Sequence, residues 1–349
     1  MSDHRITIND ITVLPGQRQT MNLPLGTLYT HTPLAMPIHV ICGKKPGPRL
    51  FISAAIHGDE LNGVEIIRRL LKSSSLKRMR GILIAIPVVN VHGLLHHSRY
   101  LPDRRDLNRS FPGSNSGSLA ARMAHIFMEQ IVSQCNYGID LHTAAIHRSN
   151  LPQIRANLDD KETARLASAF GVPVILNANL RDGSLRETSA DSGTPILLYE
   201  GGEALRFDEF SIRAGVKGIR NVMRELAMLP PSKSKKTPIK SVIARSSSWA
   251  RAQVSGMFRA VIPLGAHVTE ETVLGVISDP FGENEWEVHA SFEGIVIGRN
   301  SLPLVNEGDA LFHIARFRKA ERVAENIGDF QDGFQTEHID STDLDSPII

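Results

Sequence analysis

The strongest constraint on the fold is an alternation of short apolar runs and segments of helical periodicity between Arg49 and Gly202. Continuous apolar runs indicate strands that are buried on both faces of a sheet. The clearest of them are RLFISAA, GILIAIPVVN and TPILLYEGG. Apolar residues recur every three or four positions in ELNGVEIIRRLL and SLAARMAHIFMEQIV, with Ser118 as an N-cap, which indicates covering helices. The alternation predicts an α/β domain with a mixed or parallel sheet flanked by helices, in which functional groups collect where strands end.

The pattern changes after Pro230, and the change predicts the domain boundaries. Residues 1–48 are expected to be a β-rich lead-in to the α/β domain at 49–230. Residues 229–241, LPPSKSKKTPIKS, have no apolar face and are predicted to be a linker. From 241 to 316, short β-like runs between turn residues predict a small all-β, barrel-like domain. Residues 321–349 hold eight acids and one Arg and show no periodicity beyond room for a short helix near Val323, so they are expected to be a disordered acidic tail.

Composition excludes several classes of protein and partner. Hydrophobic residues make up 42% and charged residues 22% of the 349 positions, which excludes disordered, collagen-like and coiled-coil chains. The net charge of +2 gives no electrostatic footprint for nucleic acid or for an anionic membrane, so neither is expected as a partner. No apolar run approaches the roughly 18 residues of a membrane helix, and MSDHRITIND lacks the features of a secretory signal. We therefore expect a cytoplasmic protein with a small-molecule partner; the sequence leaves the oligomeric state open, a homo-oligomer included.

A metal site must use imidazole and carboxylate ligands, because the chain has only two Cys among its 349 residues. His57 and Glu60 follow the first predicted strand with a spacing that brings both side chains to one cation. The same spacing recurs at His267 and Glu270 in a β-type stretch, which we interpret as a solvated turn. The spacing alone therefore does not distinguish a pair of metal ligands from a pair of surface residues. The position of each pair relative to the predicted strands has to distinguish them.

His142 supplies that context, since it lies at the end of another predicted strand, YGIDLH. Two strand ends that meet at one sheet edge would join His57, Glu60 and His142 into a set of two His and one Glu, with a coordination position left open for water. Asp140 lies two residues earlier on the same strand face and could orient a ligand. The alternative is a surface His close to an unrelated acid.

Two further segments carry candidate chemistry. The loop NVHGLLHHSRYLPDRRDLNRSFPG holds several guanidinium groups and an amide, which suits recognition of a carboxylate or an oxyanion, although it could equally be a solvated basic loop paired with its own acids. Its candidate residues are Arg99, Arg104, Arg105, Asn108 and Arg109. Glu200 ends an apolar run and precedes two glycines, a place for a desolvated general base or for a turn acid that faces water.

Five separated motifs agree in order and in strand context with one known family. They are HGDE at 57–60, RY at 99–100, DLNRSFPG at 106–113, DLH at 140–142 and YEGG at 199–202. In this order they resemble the succinylglutamate desuccinylase and aspartoacylase family, a branch of the zinc carboxypeptidase-like fold. The resemblance runs from about residue 49 to 224. It implies a mixed sheet flanked by helices and makes 49–230 a zinc-dependent hydrolase domain.

The resemblance also implies the metal site and the base. His57, Glu60 and His142 would bind one Zn²⁺ per chain, and Glu200 would be the general base that takes a proton from the attacking water. The reaction would split an amide into a carboxylic acid and an amine.

In the substrate-binding loop, the resemblance implies that Arg99 polarises the scissile carbonyl and that Asn108 and Arg109 hold a substrate carboxylate. Arg104 departs from the family, which has Gly at this place in the loop, so the resemblance does not define the loop shape or the substrate size. Arg186, in the loop NLRDGSLRETSADSG, is interpreted as a contact to the acyl group, with a solvated loop residue as the alternative.

The expected function is a zinc-dependent amidohydrolase that deacylates a small N-acyl amino acid or a related N-acyl amine. The alternatives are a zinc carboxypeptidase that acts on a peptide and a non-catalytic zinc-binding or docking protein. The region 241–316 resembles biotinyl and lipoyl domains, but it has no Lys between Arg245 and Arg316 and so lacks their attachment site. We expect it to narrow the cleft instead, with the loop DPFGENEWE and its Trp286 at the rim.

Overall fold

The computed structural model describes residues 4–178, 181–232, 241–244, 246–318 and 320–335. Residues 233–240 of the predicted linker and 336–349 of the predicted tail lie outside this part of the chain.

The strands of the described residues fall into an N-terminal, a central and a C-terminal group. The first two groups are β1 (Ile6–Ile8), β2 (Ile11–Val13), β3 (Arg18–Thr27), β4 (Pro33–Cys42), β5 (Arg49–Ala54), β6 (Ile82–Ile86), β7 (Tyr137–Ala144), β8 (Arg148–Ala156), β9 (Val174–Asn177) and β10 (Ile196–Glu203). The C-terminal group is β11 (Val242–Ala244), β12 (Ser246–Arg251), β13 (Gly256–Ala260), β14 (His267–Val268), β15 (Val273–Ser278), β16 (Glu285–His289), β17 (Gly294–Asn300), β18 (Leu304–Val305) and β19 (Ala310–Arg316).

Among the described residues, the α-helices lie in the central part of the chain and after its last strand. They are α1 (Asn62–Lys72), α2 (Val91–Leu95), α3 (Leu119–Gln130), α4 (Lys161–Phe170), α5 (Leu185–Asp191), α6 (Glu209–Glu225) and α7 (Ala320–Gln335). Ser118 caps α3 as the sequence predicts, because its side chain accepts a hydrogen bond from the backbone N–H of Ala121. None of these helices, in the part of the chain described, is both long and apolar enough to cross a membrane.

A large mixed sheet organises the molecule. Its strand order is β12-β19-β17-β8-β10-β7-β5-β6-β4-β3, with β9 on β8, β11 on β9 and β14 on β17. The central strands β6, β5, β7 and β10 are parallel to one another, whereas β4 runs antiparallel to β6 and β8 runs antiparallel to β10. The carboxyl ends of β5, β7 and β10 therefore meet at one edge, and this confirms the predicted mixed α/β architecture.

The centre of the sheet is buried on both faces, as the continuous apolar runs predict. In β5, Leu50 and Ile52 belong to the apolar cluster beneath α1, α4 and α6, whereas Phe51 belongs to the cluster beneath α3. Alternate side chains of one strand thus enter two separate cores, because successive residues of a strand point to opposite faces. Complete burial of a side chain of this size contributes roughly 1.5–3 kcal/mol relative to exposure.

The C-terminal strands divide between two sheets. Strands β16, β15, β13 and β18 form a four-stranded sheet, whereas β12, β19 and β17 extend the large sheet by way of β8. The pair β17–β8 is antiparallel and places Gly298 opposite Asn150. The predicted β-strands of residues 241–316 are therefore present, but their hydrogen bonds continue into the α/β domain. The likeness to biotinyl and lipoyl domains stays a prediction.

The expectation of a disordered tail from residue 321 is wrong for residues 321–335, which belong to helix α7. Its buried apolar face comprises Val323, Ile327, Phe330 and Phe334. The rings of Phe330 and Phe334 lie 5.3 and 5.5 Å from that of Phe210 on α6. The many acids obscured this stripe of four apolar residues at helical spacing. Phe330 and Phe334 pack on α6, whereas Val323 and Ile327 pack in a separate apolar cluster with residues of β8, β9 and β17, and this burial stabilises the helix.

Candidate active site

His57, Glu60 and His142 are brought together where β5 and β7 end. One ligand atom from each lies within 4.8 Å of the others, and all three side chains are buried. The turn after β5 carries His57 and Glu60, and the Glu60 N–H bonds the His57 carbonyl at 3.1 Å. Gly58 allows this turn to lie directly on α2, since a Cβ there would be 1.9 Å from the Gly93 carbonyl carbon. The three predicted ligands therefore converge, as the strand-end argument requires.

The orientation of the two imidazoles fits a metal site. The Nδ1 atoms of His57 and His142 lie 2.7 and 2.8 Å from the two carboxylate oxygens of Glu60. Their Nε2 atoms face other acids, Asp106 at 3.2 Å and Asp140 at 2.6 Å. With Nε2–H donated to a carboxylate, each neutral ring has its Nδ1 lone pair directed at the space beside Glu60. Two imidazoles and a carboxylate arranged in this way suit Zn²⁺ with an open coordination position.

The same contacts determine the protonation of the cluster. Burial by itself would lower the pKa of His142, but Asp140 and Glu60 outweigh it and raise that pKa well above the ordinary value. The pKa of His57 is likewise raised, because Glu60 and Asp106 overcome the effect of burial. Burial opposes ionisation of Glu60, yet the two histidines hold its pKa below its usual range. A cation that took the place of the Nδ1 protons would therefore release protons on binding.

Arg99 points at the ligand cluster from the loop after α2. Its Nη2 donates to Asp106 Oδ2 at 2.9 Å, and its Nη1 lies 3.2 Å from His57 Nδ1 and 3.4 Å from Glu60 Oε1. Asp106 therefore links Arg99 and His57. Sequence reasoning treated Asp106 only as a partner for loop arginines, although its place in the DLNR motif was a signal that it belongs to the site.

Asn108 and Arg109 both line the same cleft. The Asn108 side-chain oxygen accepts the backbone N–H of Leu185 at 3.0 Å and so ties this loop to the start of α5. In the predicted contact to a carboxylate, the Nδ2 amide of Asn108 would be the donor. Arg109 is exposed, and partial desolvation of its guanidinium, together with the nearby Arg181 and Arg99, lowers its pKa. The assignment of these two residues to a substrate carboxylate stays a prediction.

Glu200 lies on β10 as the direct register partner of His142 on β7. Its Oε2 accepts a hydrogen bond from the Asn150 amide, and its Oε1 lies 3.2 Å from Arg155 Nε. The side chain lines the cleft and is 15% exposed, so it is not a turn acid that faces water. Sequence reasoning missed Asn150 and Arg155, because Pro152 and the polar residues of β8 hide that strand.

The cleft around these residues has a volume of about 260 Å³ and is rich in guanidinium groups. Its arginines are Arg99, Arg109, Arg148, Arg155, Arg181 and Arg186. Arg186 therefore lies in the cleft and is not a solvated loop residue. Burial and the neighbouring Arg155 lower the pKa of Arg186 to about 10. Carboxylates that face the same space come from Glu60, Asp140 and Glu200.

The C-terminal region, residues 241–316, reaches the cleft through Trp249 of β12. The Arg148 guanidinium lies 5.1 Å from the Trp249 ring centroid, and the ring stacks on His313 at 4.7 Å. The expectation that Trp286 and its loop form the rim is wrong, because within the described residues the C-terminal contribution to the cleft wall is Trp249. His267 bonds Glu293 at 3.1 Å in β14 and does not line the cleft.

Comparison with known proteins agrees with this geometry. The family model for the succinylglutamate desuccinylase/aspartoacylase catalytic domain matches residues 46–226. The chain is 26% identical over 306 residues to the N-alpha-acetyl-L-2,4-diaminobutyric acid deacetylase of Halomonas elongata, covering 84% of this chain and 87% of that protein.

Solved structures share the fold. One is the product-bound ectoine utilization protein EutE of Ruegeria pomeroyi, with a TM-score of 0.78 and 22% identity over 91% of this chain and 100% of that one. Another is a succinylglutamate desuccinylase/aspartoacylase of Rhodobacter sphaeroides, with a TM-score of 0.75 and 23% identity over 86% of this chain and 95% of that one. Since the family match spans more than half of the sequence, the chain belongs to the succinylglutamate desuccinylase/aspartoacylase family.

Proposed function

We propose that the protein is a zinc-dependent deacylase that hydrolyses the amide bond of a small N-acyl amino acid. The observation that carries the proposal is the convergence of His57, Glu60 and His142 beside Glu200 in one cleft. The family membership and the deacetylase relative support hydrolysis of an N-acyl group.

His57, His142 and Glu60 would hold the metal, with the two imidazoles offering their Nδ1 atoms, while Asp106 and Asp140 keep both rings oriented through Nε2. When bound, Zn²⁺ would supply Lewis acidity toward a water molecule and the amide carbonyl. Glu60 is buried, and the two histidines keep its pKa below the usual range. Its carboxylate is therefore suited to bind a metal and not to accept a proton.

Glu200 takes the proton of the attacking water and returns it to the leaving amine. Its place beside His142 brings the carboxylate to the three proposed ligands, and its contacts to Asn150 and Arg155 hold it at both oxygens. Arg99, which faces the cluster from the opposite loop, stabilises the negative charge that develops on the carbonyl oxygen.

The substrate is fixed by the cationic part of the cleft. Arg109 and Asn108 bind the carboxylate of the amino acid, and Arg186 lies against the acyl group. A cleft of about 260 Å³ is small even against the ~300–1,000 Å³ of drug-sized sites, so it favours an acyl amino acid over a peptide. This volume is the reason to prefer a deacylase over a carboxypeptidase.

A substrate panel tests the proposal. Zinc-loaded protein is incubated with N-acetyl-L-2,4-diaminobutyrate, N-acetyl-L-aspartate, N-succinyl-L-glutamate and a tripeptide, and the released amine is quantified. We expect hydrolysis of at least one acyl amino acid, its loss after chelation and its loss in Glu200→Gln. Release from the tripeptide alone would favour the carboxypeptidase. No release from any compound by fully zinc-loaded protein would favour a non-catalytic binding protein.

A further inference from the structure

We infer that Asn150 is a positioning residue for Glu200, and that Gly298 of the C-terminal region keeps Asn150 in its working position. The inference rests on the proposed role of Glu200 as the base. It gives the C-terminal strands an indirect part in the chemistry, through Asn150, which neither the family match over residues 46–226 nor the cleft volume assigns.

Asn150 is one of two groups that hold the Glu200 carboxylate. Its Nδ2 donates to Oε2, while Arg155 Nε lies 3.2 Å from Oε1. A carboxylate bound through one oxygen still rotates about its last bond, whereas contacts at both oxygens define its plane. Asn150 is itself buried, with 7% of its surface exposed, so water is a poor substitute for its amide.

The strand register explains how Asn150 reaches the base. On β10, Glu200 pairs with Gln153 and Gly202 pairs with Asn150, so two steps along β10 match three along β8. The extra residue is a β-bulge, which re-aims the side chains of the longer strand. It directs the Asn150 side chain into the cleft, beside Glu200.

Asn150 has a glycine on its other side as well. On β17 its register partner is Gly298, which has no left-handed backbone conformation to require a glycine. A Cβ at this position would lie only 2.7 Å from Asn150 Oδ1, but 3.3 Å from His313 Cβ and 3.6 Å from the Ser149 carbonyl oxygen. A side chain at position 298 would therefore overlap the space that the Asn150 amide occupies.

The response to a Cβ at Gly298 follows from which group can move. The strands β8 and β17 are held by backbone hydrogen bonds, whereas the Asn150 amide is the end of a rotatable side chain. Gly298→Ala should thus leave the sheet in place and displace the Asn150 amide from Glu200. A displacement of about 1 Å at a catalytic group is enough to lower a rate by up to ~10²-fold.

A double-mutant cycle on kcat tests the inference, with the panel substrate that the unmodified protein hydrolyses fastest. Asn150→Ala and Gly298→Ala should each lower kcat roughly tenfold or more, with KM and zinc content nearly unchanged, because the base acts in the transition state. In the Asn150→Ala background, Gly298→Ala should have no further effect on kcat, since the group that it displaces is gone. A crystal structure of Gly298→Ala should show the Asn150–Glu200 hydrogen bond broken.

Val296→Ala is the control for general weakening of β17, because Val296 is fully buried and does not line the cleft. It should lower Tm and leave kcat unchanged. The inference would be overturned if Gly298→Ala lowered kcat by the same factor in the unmodified protein and in Asn150→Ala. It would also be overturned if Val296→Ala lowered kcat as much as Gly298→Ala does. Normal kcat in Asn150→Ala beside an inactive Glu200→Gln would overturn it too, whereas an active Glu200→Gln would instead refute the proposed function.

Discussion

His142 and Glu200 are direct partners in the parallel ladder between β7 and β10. Register partners on adjacent strands point to the same face, with backbones about 4.8 Å apart. The proposed ligand and the proposed base are thus fixed by backbone hydrogen bonds at the centre of the sheet. The distance between them therefore does not depend on a mobile loop. Proton transfer is sensitive to distance, so it benefits from this constant separation.

The metal site makes the first prediction. We expect about one Zn²⁺ per chain, lost in His57→Ala and in His142→Ala, because removal of one of three protein ligands leaves an incomplete site. The measurement is elemental analysis after dialysis. His267→Ala is the matched control, since this histidine has the same spacing to Glu270 but bonds Glu293 instead. Equal loss of zinc in all three variants would refute the site.

The second prediction concerns Glu200. Glu200→Gln keeps the shape of the side chain and removes the basic oxygen, so kcat should fall by at least ~10²-fold while zinc content stays the same. Steady-state kinetics and metal analysis on the same preparation separate the two effects. Near-normal kcat would remove Glu200 from the mechanism.

The third prediction concerns the acid behind His142. Asp140 accepts the Nε2–H of His142 at 2.6 Å and the Ser53 hydroxyl at 2.7 Å. Asp140→Asn takes away the negative charge that strengthens this ligand, so zinc affinity should fall ~10–100-fold. Competition with a chromophoric chelator measures the change. Asp159→Asn, at an exposed acid, should keep the parental affinity, and an unchanged affinity in Asp140→Asn would contradict the orienting role.

Sequence reasoning found the elements whose signal is local. The strands β5, β6 and β10 contain continuous apolar runs, and β7 is a short strand that ends on polar residues. His57, His142 and Glu200 lie toward or just beyond the carboxyl ends of β5, β7 and β10. Because parallel strands bring their carboxyl ends to one edge, these residues could be grouped without a structure.

The site residues that sequence reasoning missed acquire their roles through pairing between distant segments of the chain. Asn150 and Arg155 acquire a role only because β8 lies between β10 and β17, with a bulge that no local pattern reveals. Trp249 enters the cleft because β12 joins the large sheet through β19. The stripe on α7 was readable from sequence but was outweighed by the acids around it. Since β17 pairs with β8, removal of the chain from Ser241 would also expose an inner strand.

The fourth prediction concerns the cleft wall. Trp249→Ala removes an aromatic surface beside Arg148, so longer N-acyl chains should gain kcat/KM relative to N-acetyl substrates. Trp286→Ala is the control, because Trp286 pairs with Ile277 in the four-stranded sheet and does not line the cleft. Its chain-length profile should match that of the unmodified protein. Identical profiles for all three proteins would exclude Trp249 from substrate selection.

The last prediction is a pH dependence of stability that His313 causes. Burial, with a smaller effect of Arg155, lowers the pKa of His313 to about 3. Below the ordinary value of about 6.5 the unfolded chain binds a proton that the folded chain does not. The free energy of unfolding should therefore fall as pH drops from about 6.5 toward 3, by up to ~1.4 kcal/mol per pH unit, with no effect above 6.5.

His313→Phe keeps a ring against Trp249 and cannot be protonated, although it gives up the bond between Nε2 and the Ser247 hydroxyl. Urea unfolding at pH 7.5, 6.0 and 5.0 should show a smaller loss of stability in this variant than in the unmodified protein, whatever its stability at pH 7.5. His289→Gln, at an exposed position in β16, should retain the parental slope. Parallel pH dependences for His313→Phe and the unmodified protein would show that acid destabilisation arises elsewhere, because a group that stays neutral in both states contributes no slope.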